Sequence, residues 1–414
     1  MVFVALLVAT RLGGMWLALH PESYKGETGV AGDPGFYQAW ARQIMREDLA
    51  PYSEVRIEYP PGILPFITLP QVGLPDDGRG YPARFAGLML LLDLFAMERL
   101  LALARRRGSM WGPWLWLCLI PLLGPISYMR LDMIPATATV LALERADAGR
   151  WGLAGGTLSY AVLAKLYPLL LMPIVWLRAP DRRRFVLGAL LVAVLGLIGF
   201  TGALDDLARS VLGYHSQRGI QLESSWATGL LIAGKLGYPI VIEYTFGALH
   251  VASTASSLLK ALSNLAAVVV VLIGFYFALV HVRTGDVRAI AGVLLATLLG
   301  LLAVGSVFSP QFMLWVFALG AAVLCYPGKA FQVPALALAP AALMSQLIYP
   351  FYYVSLLLND SRTVGLLAAR NALVAGASVA AFIGVLDRSD SEEPLAAGEH
   401  DHAGERQGGD ENEQ

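Results

Sequence analysis

The chain has 414 residues, 57% of them hydrophobic and 15% charged, with a formal net charge of −1 and a mean hydropathy of +0.60. A soluble core cannot absorb so many apolar residues, so the composition excludes an ordinary globular protein and points to a polytopic membrane protein. The small net charge hides an asymmetry, because residues 387–414 carry ten acids against Arg388 and Arg406, leaving 28 basic and 21 acidic residues in 1–386. The tail has no apolar period and is expected to be a disordered acidic appendage. Cys118 and Cys325 both sit inside apolar runs and suggest neither a disulfide framework nor a metal site.

Residues 1–19 are long enough to span a bilayer, and no small-residue cleavage site follows Leu19, so an uncleaved helix is expected. Arg11 interrupts it and must either snorkel or face a polar cavity. A polar, aromatic segment follows at 31–62. Within it Phe36, Trp40 and Ile44 recur every four residues with Tyr37, Ala41 and Met45 beside them, the pattern of a short amphipathic helix. Asp33, directly before Pro34, reads as its N-cap, and a carboxylate there stays ionised and can still face a substrate. The paired prolines of EYPPG (58–62) stiffen the next stretch. Residues 63–73 are apolar but too short to span, and are expected along the membrane surface.

The second span, 84–104, ends in Arg105, Arg106 and Arg107, and basic loops stay cytoplasmic. The 20–83 loop is then extracytoplasmic. Residues 111–128 go out and 133–143 return, with Arg130 and Asp132 at the outer turn. Segment 151–177 has basic flanks at both ends, which a single span cannot satisfy. It reads as two half-length helices broken near Lys165, Tyr167 and Pro168, an arrangement tolerated at membrane depth only where it lines a protein cavity. Residues 185–203 span outward, 204–256 form a second external segment, and spans follow at 257–280, 289–307, 312–325, 331–349 and 363–386. The expectation is an all-α polytopic membrane protein of roughly twelve transmembrane or re-entrant helices. Its membrane domain covers 1–386, its external loops are 20–83 and 204–256, and its tail, 387–414, is cytoplasmic. No internal repeat stands out, which disfavours a transporter.

Under this topology Asp33, Glu58, Tyr59, Arg130, Asp132, His215, Arg218, Gln221, Glu223, Ser224 and Gln311 gather at the outer surface, with Lys165 in the membrane beneath them. An ammonium inside a bundle costs ~3 kcal/mol, so Lys165 is functional or paired, and Asp93 in the second span is a candidate partner. Arg130 either snorkels at the interface or binds an anion, and Asp132 two residues on is its nearest partner in sequence. His215 shares a face with Arg218 if the segment is helical and has a pKa suited to proton transfer, although a lone loop histidine is more often plain surface. Arg218 is the better anion ligand. The Glu399, His400, Asp401, His402 run has no scaffold and lies on the cytoplasmic side. Sequences for a nucleophile elbow, P-loop, zinc-protease helix or dinucleotide fingerprint are absent, as is any nucleic-acid module, so ATP, NAD and nucleic acid are not expected partners.

GDPGFYQAWARQI, the following Pro-Tyr and EYPPG resemble the first external loop of the polyprenyl-phosphate-dependent GT-C glycosyltransferases, and specifically glycosyltransferase family 87, which includes polyprenyl-phosphomannose-dependent mannosyltransferases. RLDMIPA (130–136), AKLYPLLLMP (164–173), RGIQLESSW (218–226) and FSPQF (308–312) agree in order and spacing over residues 1 to 386. The resemblance implies an inverting transfer of a sugar, mannose favoured, from a polyprenyl-phosphate donor to an envelope glycolipid or glycan at the outer face of the plasma membrane. It implies Asp33 as general base. Many GT-C enzymes pair acids in this loop and bind a divalent metal, but Asp33 has no acidic neighbour within two positions, so metal-independent transfer is expected. The chemistry then needs cations for the departing phosphate, for which Arg130, Lys165 and Arg218 are the candidates. Glu58, Tyr59, His215, Gln221, Glu223 and Gln311 are the candidate sugar contacts, and Trp40 or Trp226 could stack on a sugar face. A sugar or lipid flippase using an Asp93–Lys165 pair is the alternative, and a scaffold docking through 204–256 is a third.

Overall fold

The computed structural model describes residues 1–23, 32–75 and 78–391, without the side chains of residues 215, 216 and 388–391. The acidic tail beyond 391 lies outside the described residues. The chain is a helical bundle, and among the described residues six helical stretches are long and apolar enough to cross a membrane: Val2–Leu19, Arg182–Gly213, Ser256–His281, Val287–Val304, Gln332–Phe351 and Ser361–Asp387. Shorter apolar helices at Trp111–Leu123, Pro168–Arg178 and Pro310–Leu324 add to these. The protein is therefore an all-α polytopic membrane protein, with one small β-hairpin as the exception.

Val287–Val304 is the central helix, buried along almost its whole length, and Met313–Leu324 is buried throughout. Peripheral helices turn apolar faces outward. Leu187, Leu190, Leu191, Val194 and Leu195 of Arg182–Leu197 are all exposed, as expected of residues that meet lipid. That helix packs closely on Trp151–Ala164 through glycines. A Cβ on Gly155 would lie 2.0 Å from the Phe185 carbonyl oxygen, and one on Gly188 would lie 1.9 Å from that of Gly152. Small residues supply this intimacy where no hydrophobic effect drives helices together in lipid.

The helical break read at Lys165 is present. Trp151–Ala164 stops, Lys165 is extended at φ −159° and ψ 141°, and Pro168–Arg178 begins with proline in its first turn. The EYPPG motif is seated on this break. Tyr160 donates to the Gly62 carbonyl at 2.8 Å, and a Cβ at Gly62 would stand 2.7 Å from the Leu163 carbonyl carbon. Only glycine allows that approach.

Two expectations need correction, the cap role of Asp33 and the wholly helical reading of 204–256. Asp33 lies inside the first turn of helix Gly32–Arg46 rather than ahead of it, and its carboxylate turns to Arg130 and Tyr37. Residues 63–73, expected along the membrane surface, leave Leu69 and Val72 exposed. They form short helical turns whose Ile63, Ile67, Pro70 and Gln71 are buried, and Tyr81 donates to the Ile67 carbonyl at 2.8 Å. The 204–256 segment contains a hairpin of β1 (Val241–Thr245) and β2 (Ala248–Ala252) in antiparallel register, Thr245 opposite Ala248. Phe246 and Gly247 form its two-residue turn, both with positive φ, the geometry that matches the strand twist.

Helices Tyr81–Arg107, Met133–Asp147 and Met313–Leu324 all start near one end of the bundle, the end that gathers helix Gly32–Arg46, the Arg130 turn, the Lys165 break and the hairpin. The Arg105–Arg107 cluster marks the other end.

Candidate active site

A cavity of about 730 Å³ occupies the Asp33 end. Asp33, Glu58, Tyr59, Arg130, Lys165, Arg218, Gln221, Glu223 and Gln311 border it, whereas Asp132, Ser224 and Trp226 do not. The side chain of His215 lies outside the described residues. Six separate stretches of chain therefore converge on one space, and the reason lies in local structure. The first-loop helix presents Asp33, Phe36, Tyr37 and Trp40 on one face at helical spacing. The EYPPG turn brings Glu58 and Tyr59 over the Lys165 break, and the hairpin closes the far wall with Tyr244, Gly247 and Leu249.

The ion pairs differ from those expected along the sequence. Arg130 pairs with Asp33, not with Asp132. Lys165 pairs with Asp132, Nζ to Oδ1 at 2.7 Å, not with Asp93, which binds Arg11 instead. Asp132 is buried behind Lys165 and also accepts from Trp315 Nε1 at 2.7 Å. Both described contacts of Asp33, from Arg130 Nη1 and from the Tyr37 hydroxyl at 3.4 Å, fall on Oδ2.

Lys165 sits in a box of rings, 5.3 Å from the Tyr59 centroid, 4.9 Å from Phe312 and 5.0 Å from Trp315. Trp315 is sandwiched between Tyr167 and Phe312, each with its centroid 4.1 Å away. Sequence reasoning passed over Trp315. The available signal was its helical offset of four from Gln311, which puts both on the cavity face.

Arg218 is differently placed. Its guanidinium lies 5.6 Å over the Tyr214 ring, it forms no ion pair among the described residues, and its Nε is buried without a hydrogen-bond partner there. Glu58 faces it. Burial raises the Glu58 carboxyl above the usual carboxylate range, while hydrogen bonding from Tyr214 and the charges of Arg218 and Lys165 pull the other way. Arg218 is thus a charged group held at the cavity with one buried nitrogen left without a partner, beside a carboxyl group that burial perturbs, a common property of binding sites.

Gln221 and Glu223 build the wall. Gln221 Oε1 accepts from the Glu223 and Phe308 backbone N–H groups, each at 3.2 Å. Glu223 pairs with the fully buried Arg370 at 3.3 Å, whose guanidinium lies 3.8 Å over the Phe308 ring. Ser224 caps helix Ser225–Lys235 by accepting from the Ala227 N–H at 3.1 Å. Trp226 donates to the Val304 carbonyl at 2.6 Å and does not border the cavity, which leaves Trp40 as the member of that pair able to meet a ligand. Among the described residues, no three His, Cys, Asp or Glu side chains group as a metal site would require.

Fold and site define a polytopic membrane protein with a charged, aromatic-lined cavity at one end of its bundle. No family model and no curated protein sequence matches the chain. Among solved structures, ArnT from Cupriavidus metallidurans bound to undecaprenyl phosphate is similar over 93% of this chain and 78% of that one, with a TM-score of 0.47 and 16% sequence identity. A likeness so distant carries no functional argument.

Proposed function

We propose that the protein is an inverting, GT-C-type glycosyltransferase that moves a sugar, mannose favoured, from a polyprenyl-phosphate donor to an envelope glycolipid or glycan at the outer face of the plasma membrane. The observation that carries the reading is the cavity itself: three carboxyl groups, Asp33, Glu58 and Glu223, and three cations, Arg130, Lys165 and Arg218, border the same space, and Arg218 forms no ion pair within 4 Å among the described residues while its buried Nε lacks a hydrogen-bond partner there. A half-buried guanidinium with no ion pair among the described residues suits an anion, and a phosphate accepts its bidentate fork.

In this mechanism the acceptor hydroxyl oxygen attacks the anomeric carbon from the face opposite the phosphate. The bond from that carbon to the phosphate oxygen breaks with inversion. Asp33 takes the hydroxyl proton, through Oδ1 while Oδ2 remains with Arg130 and Tyr37. Arg218 and Lys165 hold the negative charge that grows on the departing polyprenyl phosphate. Glu58 and Gln311 meet sugar hydroxyls, and the Trp40 ring gives the sugar an apolar face. The metal-independent step expected from the lone first-loop acid belongs to the same proposal.

The flippase alternative rested on an Asp93–Lys165 pair, and these residues have different partners.

The test is sugar transfer by protein in liposomes, given a panel of radiolabelled polyprenyl-phosphate sugars, extracted envelope lipid as acceptor, and EDTA. Wild type should form product, and folded Asp33→Asn should lose it by a factor of roughly 10² to 10⁴, the range a general base supplies. Equal turnover by both proteins would move the base elsewhere. Lipid that changes leaflet without sugar transfer would favour the flippase.

A further inference from the structure

The most completely satisfied charged group in the described molecule lies outside the cavity. Asp93, midway along Tyr81–Arg107, is fully buried and accepts four hydrogen bonds. Arg11 donates Nε to Oδ2 at 2.9 Å and Nη2 to Oδ1 at 3.1 Å, Trp116 Nε1 donates to Oδ1 at 2.7 Å, and the Tyr128 hydroxyl donates to Oδ2 at 2.9 Å. Arg11 spends its remaining reach on the Leu117 carbonyl at 2.9 Å. Only Arg11 and Ala18 are buried in helix Val2–Leu19, so this contact is that helix's main polar attachment to the bundle. Gly14 adds closeness, since a Cβ there would lie 3.0 Å from Tyr128 Cε2.

A buried ion pair is a poor stabiliser for its cost, and well-packed apolar side chains of similar volume often serve as well or better. What such a cluster does supply is a fixed geometry. The geometry it fixes here is that of Tyr128, the last residue of the Pro125–Tyr128 turn. Two residues on, within about 7 Å of chain, comes Arg130, which holds Asp33. Two further on comes Asp132, which holds Lys165. The proposed base and one proposed phosphate cation therefore take their positions from the same short turn.

We infer that Asp93 is a positioning residue for the active site, acting through the Tyr128 hydroxyl to set the turn that places Arg130 against Asp33 and Asp132 against Lys165. This rests on the glycosyltransferase reading and extends it to a group that touches no substrate. The cluster contains its own control. Tyr128→Phe and Trp116→Phe each remove one donor from the same carboxylate, but only Tyr128 leads into the turn.

The experiment measures thermal midpoint, decaprenyl-phosphate binding in nanodiscs, and transfer kinetics for wild type and both variants. Both variants should melt below wild type by similar amounts. Tyr128→Phe should weaken lipid-phosphate binding and lower kcat by roughly ten- to a hundredfold, the scale of a small misplacement of reacting groups, while Trp116→Phe stays within about twofold of wild type. With an active wild type, variants that change kinetics equally, or not at all, overturn the inference and leave the glycosyltransferase reading standing. A wild type that binds no polyprenyl phosphate and transfers no sugar overturns that reading and the positioning role with it.

Discussion

The two ends of the bundle make similar room for very different chemistry. Beside Arg105–Arg107 a second cavity of about 740 Å³ is bordered by Ser109, Trp111, Trp114, Tyr326 and Gln332. The Asp33 cavity measures about 730 Å³, so size does not separate them. Charge does. No Asp, Glu, Lys or Arg borders the former, and Arg106, Arg107, Glu144 and Asp147 near it pair with one another. Arg106 meets Glu144 at 2.8 Å, Arg107 meets Asp147 at 2.6 Å, and Tyr326 donates to Asp147 at 2.6 Å. At the Asp33 end the ionic residues face the space itself, and Arg218 among them remains uncommitted. Ion pairs made within the protein hold helices together, whereas a cation at a cavity without such a pair is available to a ligand.

The comparison is broken most forcefully by neutralising the cations. Arg218→Gln should lower kcat/KM by roughly 10² or more, the loss typical of one preorganised donor to developing charge, with much of it in donor affinity. Lys165→Met should cost a similar factor in kcat, and it leaves Asp132 buried with Trp315 as its remaining described donor. Kinetics against donor concentration check both. Wild-type turnover and donor affinity in both variants would sink the phosphate clamp.

A smaller effect is expected from the cavity wall. Burial pushes the Glu223 carboxyl up to about 7, against the pull of Arg370, Gln221 and Arg130. The folded state then holds this proton more tightly than the unfolded chain. The stability it contributes is complete below the unfolded value, about 4.5, and is lost as pH rises through about 7. Thermal midpoints measured from pH 4 to 8 should show this decline in wild type and a flatter profile in Glu223→Gln. Parallel profiles would mean that Glu223 stays ionised with Arg370 throughout.

What could be read from the sequence follows the range of each interaction. The Lys165 break and the first-loop helix announced themselves, because a buried ammonium, paired prolines and a four-residue aromatic period are local signals. The residues of the cavity were legible for the same reason. Their partners were not. Arg130 passes over Asp132 for Asp33, and Glu223 finds Arg370 at a separation of 147 residues, choices made by packing that no spacing encodes. The hairpin escaped notice because Phe246-Gly247 lacks the Asn-Gly or Asp-Gly signature, so a phenylalanine with φ 49° occupies a position that asparagine or glycine usually marks.

The smallest predicted effect sharpens the comparison from the other side. Tyr326→Phe removes one hydrogen bond to Asp147, which keeps Arg106 and Arg107. It should lower stability by about 1.5 kcal/mol, as for a bond to a charged acceptor, and leave donor KM and kcat at wild-type values, because neither Tyr326 nor Asp147 borders the Asp33 cavity. Thermal unfolding and transfer kinetics on the same preparation check both halves. A kinetic change in this variant, with the fold intact, would mean that the two ends of the bundle are coupled, and the contrast between a structural end and a chemical end would have to be given up.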